Sequence, residues 1–166
     1  YWRTLNAPFI YDDKIEVIGN RTIRSLSDWN ALVGYNPSRI VLQLSYAFNL
    51  NQNGLSPLGF HVVNLVIHAL GVGAAIWVLQ GLNRRRKDPL PQWVPVLGAG
   101  LWGLHPMATE GVSYITGRSE SLCALFCMVA CGAWITALNA EKDHQNGWGW
   151  RCIGIMACMM AMLSKE

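Results

Sequence analysis

The sequence predicts an all-α polytopic membrane protein with about four transmembrane helices and one or two interfacial amphipathic helices. Three observations predict it. Apolar residues make up 52% of the 166 and charged residues only 14%, a balance too greasy and too poor in charge for an ordinary soluble domain. The apolar residues gather in runs near 58–82, 90–104, 121–138 and 151–163, and the first run exceeds the roughly 20 residues that a helix needs to cross the hydrocarbon core. Four of the 13 Lys and Arg stand together as Arg84, Arg85, Arg86 and Lys87 directly after that run, where the cytoplasmic ends of spanning helices carry positive charge. A net charge of +3, concentrated in one cluster, is too small to predict a nucleic-acid partner.

Residues 1–57 read as an extracytoplasmic segment with interfacial helices, and 58–166 as the transmembrane region. Ile23, Leu26, Trp29 and Val33 recur at roughly helical spacing and predict a short helix lying on the membrane surface. Ser38–Leu50 predicts a second amphipathic helix, with Gln43, Tyr46 and Asn49 at i, i+3 and i+6, that lies in the interface or packs against spanning helices. It is too short to cross a bilayer. Asn51-Gln52-Asn53-Gly54 turns the chain into Leu58–Leu82, the clearest span. His61, Asn64 and His68 fall on one face of that helix, and polar groups are expensive in lipid, so the stripe must meet other helices or a wet cavity. It serves either as hydrogen-bonding glue or in binding a polar headgroup, with His61 nearest the helix start. The two histidines are about 10 Å apart along the axis, too far to share a metal ion. Pro89–Leu104 returns across the membrane, with Trp93 as an interfacial anchor and Gly98, Gly100 and Gly103 allowing close helix contact.

The polar block His105–Glu120 joins that helix to the next crossing, Ser121–Leu138. Asn139–Trp150 reads as a polar loop and Arg151–Leu163 as the start of a further crossing. All five cysteines lie in apolar runs, which predicts small packing residues and no disulfide framework. The chain starts without Met and stops directly after an apolar run, so it reads as part of something longer.

If Arg84–Lys87 is cytoplasmic, residues 1–57 and 105–120 share the extracytoplasmic face. The adjacent carboxylates Asp12 and Asp13 then lie on the same side as Arg39, His105, Glu110 and Arg118. The five Lys and Arg within 1–57 argue the other way, but long segments escape the positive-inside rule more easily than short loops. A polar block between helices is often only a solvated connector. A functional reading requires the two patches to meet.

The order Tyr11-Asp12-Asp13, Arg39, Ser45-Tyr46-Ala47-Phe48-Asn49, Gly59-Phe60-His61-Val62-Val63-Asn64-Leu65-Val66-Ile67-His68-Ala69, His105-Pro106-Met107-Ala108-Thr109-Glu110, Gly117-Arg118 and Leu163-Ser164-Lys165-Glu166 resembles the membrane part of the transmembrane-and-TPR O-mannosyltransferases and their bacterial relatives. The resemblance implies a fragment of a GT-C type polytopic glycosyltransferase. Such an enzyme transfers a sugar, typically mannose, from a polyprenyl or dolichyl phosphate carrier to a protein hydroxyl on the extracytoplasmic side of the bacterial inner membrane or endoplasmic reticulum. The implied partners are membrane lipids, the lipid-phosphate sugar donor and an acceptor protein. One of Asp12 and Asp13 would take the acceptor's proton while the other is held by a neighbour or helps bind a divalent cation. Arg118 first, then Arg39, would grip the departing phosphate, and His105 and Glu110 would orient acceptor or phosphate. No protein metal-ligand set is predicted. The alternative reading is a non-catalytic transmembrane subunit packed among other membrane subunits in a larger complex.

Overall fold

All regular structure among residues 4–165, which the computed structural model describes, is helical. Tyr1, Trp2 and Arg3 of the front segment and Glu166 of the last motif lie outside the described residues. The elements in order are a π-helical turn Lys14–Gly19, a 3-10 turn Thr22–Arg24, α1 (Trp29–Tyr35), a 3-10 turn Pro37–Arg39, α2 (Ile40–Asn53), α3 (Pro57–Asn83), α4 (Trp93–Gly103), a 3-10 turn Pro106–Thr109, α5 (Glu110–Ser113), α6 (Arg118–Lys142) and α7 (Trp148–Met162).

Local chemistry sets these boundaries. The Asp28 carboxylate accepts from the Ala31 N–H at 3.1 Å and starts α1, and the Asn36 side chain accepts from the Ser38 N–H at 3.1 Å ahead of α2; both satisfy donors that a helix start leaves open. The predicted surface helix over 23–33 is in fact two pieces. Ile23 belongs to the 3-10 turn, residues 25–28 break the helix, and α1 begins at Trp29 because the short polar side chains between them favour caps and turns. Gly54 closes α2 at φ 58°, a left-handed conformation that side chains resist. Pro57 opens α3 at a position where its missing N–H is harmless.

Two helices, α3 with 27 residues and α6 with 25, are long and apolar enough to cross a bilayer. Only 28% of each apolar window is buried inside the protein, so most of both surfaces faces outward. The core helix of a soluble domain would be mostly covered. The other two expected crossings are shorter helices of 11 and 15 residues, about 16 and 22 Å long against a hydrocarbon core of about 30 Å. In contrast to the expected loop over 139–150, α6 runs on to Lys142. The Asn139 amide donates to the Gly81 carbonyl at 3.2 Å, which uses the Asn polarity inside the helix pair.

Helix α3 packs against α6 on one side and α4 on another, and α6 packs against α7. Small residues line these contacts, among them Ala74, Ala75, Ala133, Ala137, Ala157 and Ala161, as close helix approach in a membrane requires. Four of the five cysteines, Cys127, Cys131, Cys152 and Cys158, are exposed on the outer helix faces, so they do not fill the packing as the sequence led us to expect; all five are free.

The larger apolar side chains are buried elsewhere, at the end of the bundle where the front segment meets α2 and the starts of α3 and α6. Val17, Ile23, Leu32, Tyr46, Phe60 and Ile115 form the centre of this cluster. Phe9 seats its ring edge against Phe60 at 5.7 Å between centroids and docks the front segment.

Candidate functional site

The two polar patches meet. The Asp13 carboxylate is buried and accepts from the Thr116 N–H at 2.9 Å, across 103 residues of chain, while its second oxygen accepts from the Ile10 N–H at 3.2 Å. Tyr11, just before the carboxylate pair, has φ 44°, an uncommon conformation for a bulky residue of a kind that clusters at functional sites. Beside this joint opens a cavity of about 500 Å³ whose wall includes Asp12, Arg39 and Glu110, together with Glu16, Glu120 and Lys165.

The sequence-predicted residues divide into two groups of three, with His105 apart from both. Asp12, Arg39 and Glu110 line the cavity, with Asp12 and Glu110 exposed in it. His61, Arg118 and Asp13 are instead built into the packing behind it, each with at most 1% of its surface exposed. His105 is exposed and uses its Nδ1 to accept from the Met107 N–H at 3.2 Å, capping the turn that follows, and it does not line the cavity.

Arg118 has surroundings that spacing alone could not show. Its Nε donates to Asn64 Oδ1 at 2.6 Å, one terminal nitrogen to the Ser45 carbonyl at 3.2 Å and the other to Asn49 Oδ1 at 2.8 Å and the Phe60 carbonyl at 3.0 Å. The guanidinium carbon sits 4.8 Å from the Tyr46 ring centroid and 5.4 Å from that of Phe60, within cation–π range. The fork that was expected to hold a phosphate is thus spent on neutral acceptors from α2 and α3, at zero exposure. It ties both helices to the start of α6.

The segment Tyr114-Ile115-Thr116 is held from three directions. Asn64 donates to the Tyr114 carbonyl at 2.9 Å, the Tyr46 hydroxyl donates to the Ile115 carbonyl at 3.1 Å, and Asp13 takes the Thr116 N–H. Burial raises the Tyr46 phenol above its ordinary range, an effect the neighbouring Arg118 charge offsets only in part, so this hydroxyl remains a donor. Gly117 follows because an added Cβ would stand 2.9 Å from the Glu110 carbonyl oxygen. His61 places its two ring nitrogens 3.3 Å from the Val112 carbonyl and 3.2 Å from the Ala7 carbonyl, and His68 reaches the Gly103 carbonyl at 2.9 Å. The α3 stripe therefore meets backbone carbonyls of neighbouring segments, as its cost in lipid demands.

Sequence reasoning did not assign the pair Lys165 and Glu120, whose nitrogen and oxygen are 2.9 Å apart on the cavity wall. The signal was present in the last motif, Leu163-Ser164-Lys165. What brings it to the site is tertiary: the Val41 N–H donates to the Leu163 carbonyl at 3.1 Å and draws the end of α7 onto the start of α2. Among the described residues no three His, Cys, Asp or Glu side chains gather as a metal-ligand set, and both Asp13 oxygens are already taken by N–H donors.

Asp13→Asn should destabilise the fold by about 1–3 kcal/mol, because at this buried side chain one of the two backbone N–H donors must then face an NH₂ group. A thermal melt followed by tryptophan fluorescence measures it; an unchanged midpoint would show that the joint is not held by this carboxylate.

Comparison with known proteins gives the same direction as the motifs. The chain is 29% identical over 182 residues to the protein O-mannosyl-transferase Tmtc1 of Drosophila melanogaster, covering 100% of this chain and 20% of that protein. It is 29% identical over 189 residues to the protein O-mannosyl-transferase TMTC4 of Mus musculus, covering 99% of this chain and 25% of that protein. A third relative, the protein O-mannosyl-transferase F38B6.6 of Caenorhabditis elegans, is 27% identical over 183 residues. The chain thus spans about a fifth to a quarter of the length of these curated relatives. No family profile matches it, and no solved structure does. Along its whole length the chain is a relative of the TMTC protein O-mannosyl-transferases, the family that its motif order resembles.

Proposed function

We propose that the cavity is part of a sugar-transfer site, at which a longer parent protein moves mannose from a polyprenyl or dolichyl phosphate carrier to a protein hydroxyl on the extracytoplasmic face. The observation that carries this reading is the convergence of Asp12, Arg39 and Glu110 on one cavity at the Asp13–Thr116 joint, in a chain whose relatives are named protein O-mannosyl-transferases. In the reaction the acceptor oxygen bonds to the anomeric carbon as the bond from that carbon to the phosphate oxygen breaks. Asp12 takes the hydroxyl proton. The electron pair leaves with the phosphate, whose charge falls against Arg39, a side chain able to hold two phosphate oxygens at once. Glu110, in the same lining, orients the acceptor. Arg118 and His61 act behind the wall, as supports.

With Arg84–Lys87 on the cytoplasmic side, α3 carries the chain across and the cavity opens on the far side. The short helices α4 and α7 make the remaining crossings, completed at their ends by headgroup-level residues such as the exposed Trp93 and Trp148. A second reading, a non-catalytic subunit of a larger membrane complex, is favoured by the exposed apolar faces of α4 and α7, including Leu101, Trp102, Met159 and Met162.

The test uses the intact parent protein with a polyprenyl-phosphate mannose donor and an acceptor peptide. Transfer is expected, and Arg39→Gln should raise the KM for the donor about tenfold, the worth of one charge-assisted hydrogen bond, with little change in thermal midpoint. Absence of transfer by the parent would leave the subunit reading.

A further inference from the structure

The opposite end of the bundle carries a second polar region, about 40 Å away by the length of α3. There the end of α3, the end of α6 and the start of α7 come together. The cations Arg84, Arg85, Arg86, Lys87, Lys142 and Arg151 stand against the carboxylates Asp88, Glu141 and Asp143, an excess of three positive charges (six minus three). Such a cluster is explained in part as a topology signal and as a complement to two helix C-termini. That account treats the four consecutive cations alike, and the structure does not. Arg84 alone of the four lines two cavities, one of about 360 Å³ shared with Asn83, Pro89 and Gln92, and one of about 280 Å³ shared with Trp77, Asn139 and Trp150. Arg85 is engaged with Asn139 Oδ1 at 3.2 Å and Arg86 with the Asp88 carbonyl at 3.3 Å. Among the described residues the Arg84 guanidinium has no hydrogen-bond or ion-pair partner.

We propose that Arg84 holds the phosphate of an anionic membrane lipid, seated in the cavity between α3, α6 and α7. The chemistry fits a headgroup. Gln80 and Gln145 add amide groups to the same lining, and the Trp77 and Trp150 rings, also in it, stand 5.7 Å apart between centroids, amphipathic rings of the kind found at headgroup depth. Leu79 and Leu82, exposed on α3 next to this end, offer an apolar path for acyl chains. Asp143 in the lining disfavours a dianion and suits a phosphodiester with a single charge. A basic pocket between helix ends is a recurrent way of recognising anionic lipids.

The experiment uses the whole protein purified in a neutral detergent, with phosphatidylglycerol and phosphatidylcholine offered in equal amounts and retained lipid counted by native mass spectrometry. Phosphatidylglycerol should be retained preferentially, and Arg84→Gln should weaken its binding about tenfold, the loss of one charge-assisted bond. Lys87→Gln removes the same charge from a residue that lines neither cavity and should change binding by less than about twofold, since a charge that acts only through intervening solvent is screened. Equal retention of the two lipids, or equal losses from the two variants, would overturn the site. Displacement of the lipid by millimolar inorganic phosphate would also overturn the lipid assignment, because the cavity would then be reading a free anion. Both residues are exposed, so matching melts of the variants establish that folding is unaffected.

Discussion

Asp12→Asn in the intact parent should lower the rate of sugar transfer by about 10²–10⁴-fold, the usual worth of a positioned general base, while the melting transition stays within about 0.5 kcal/mol of the parent's. The two neighbouring carboxylates make this sharp. Asp13 is buried with both oxygens bound by backbone N–H groups, whereas Asp12 is exposed on the cavity wall. A proton acceptor must be reachable by the acceptor hydroxyl, and a structural tether must not exchange its partners. The pair should therefore separate by phenotype, with Asp12→Asn losing turnover and Asp13→Asn losing stability. Steady-state transfer kinetics and melts on the same preparations read both. If Asp12→Asn transfers at the parent's rate, another group carries the proton and the assignment fails.

Arg118→Met should be the most destabilising single substitution in the chain, costing at least about 3 kcal/mol. Two effects oppose each other here. Removing a buried cation relieves the cost of keeping it out of water, and a network replaced entirely by apolar side chains can be neutral. Methionine, however, replaces only one member. Asn64 Oδ1 and Asn49 Oδ1 lose their donor, while the Phe60 and Ser45 carbonyls keep their places in the helix ladders and lose only a second partner; each stranded acceptor costs about 1–3 kcal/mol, so the loss prevails. Lysine restores the charge without the planar fork and cannot span acceptors on two helices at once, so Arg118→Lys should recover less than half of the loss. Thermal unfolding in detergent, followed by helical circular dichroism, measures both. A Met variant that melts like the parent but cannot transfer sugar would return Arg118 to the role of phosphate grip.

The long spans were legible because length and apolarity act locally: Leu58–Leu82 became Pro57–Asn83, and Ser121–Leu138 lay inside Arg118–Lys142. The all-helical class followed from the same signal. Less legible were elements whose limits depend on partners. Residues 23–33 carried a helical period yet broke at Ser25–Asp28, and α6 outran its apolar run because Asn139 found a carbonyl on α3. At the site, Asp13 meets the 105–120 block, a juxtaposition that the sequence allowed only on the condition that both segments face one side. The surroundings of Arg118 were not legible, because a guanidinium facing lipid phosphate and one facing asparagines look identical in sequence. Asn49 and Asn64 were already marked as polar groups on single helix faces. Asking what charge such neutral acceptors could serve would have pointed to Arg118. Lys165 joined the site through a contact between the end of α7 and the start of α2, which no local pattern encodes.

The joint between Asp13 and Thr116 also sets an order of events during synthesis. At roughly 10 residues per second, the front segment is made about ten seconds before its partner backbone exists, 103 residues on. Through that interval its carboxylate must stay hydrated, and the Phe9 and Val17 side chains have only part of their final neighbours. Closure of such a distant contact is slow and comes late. The cavity is therefore among the last parts of this region to be completed, and the stage most exposed to interception by quality-control factors is the one just before it forms.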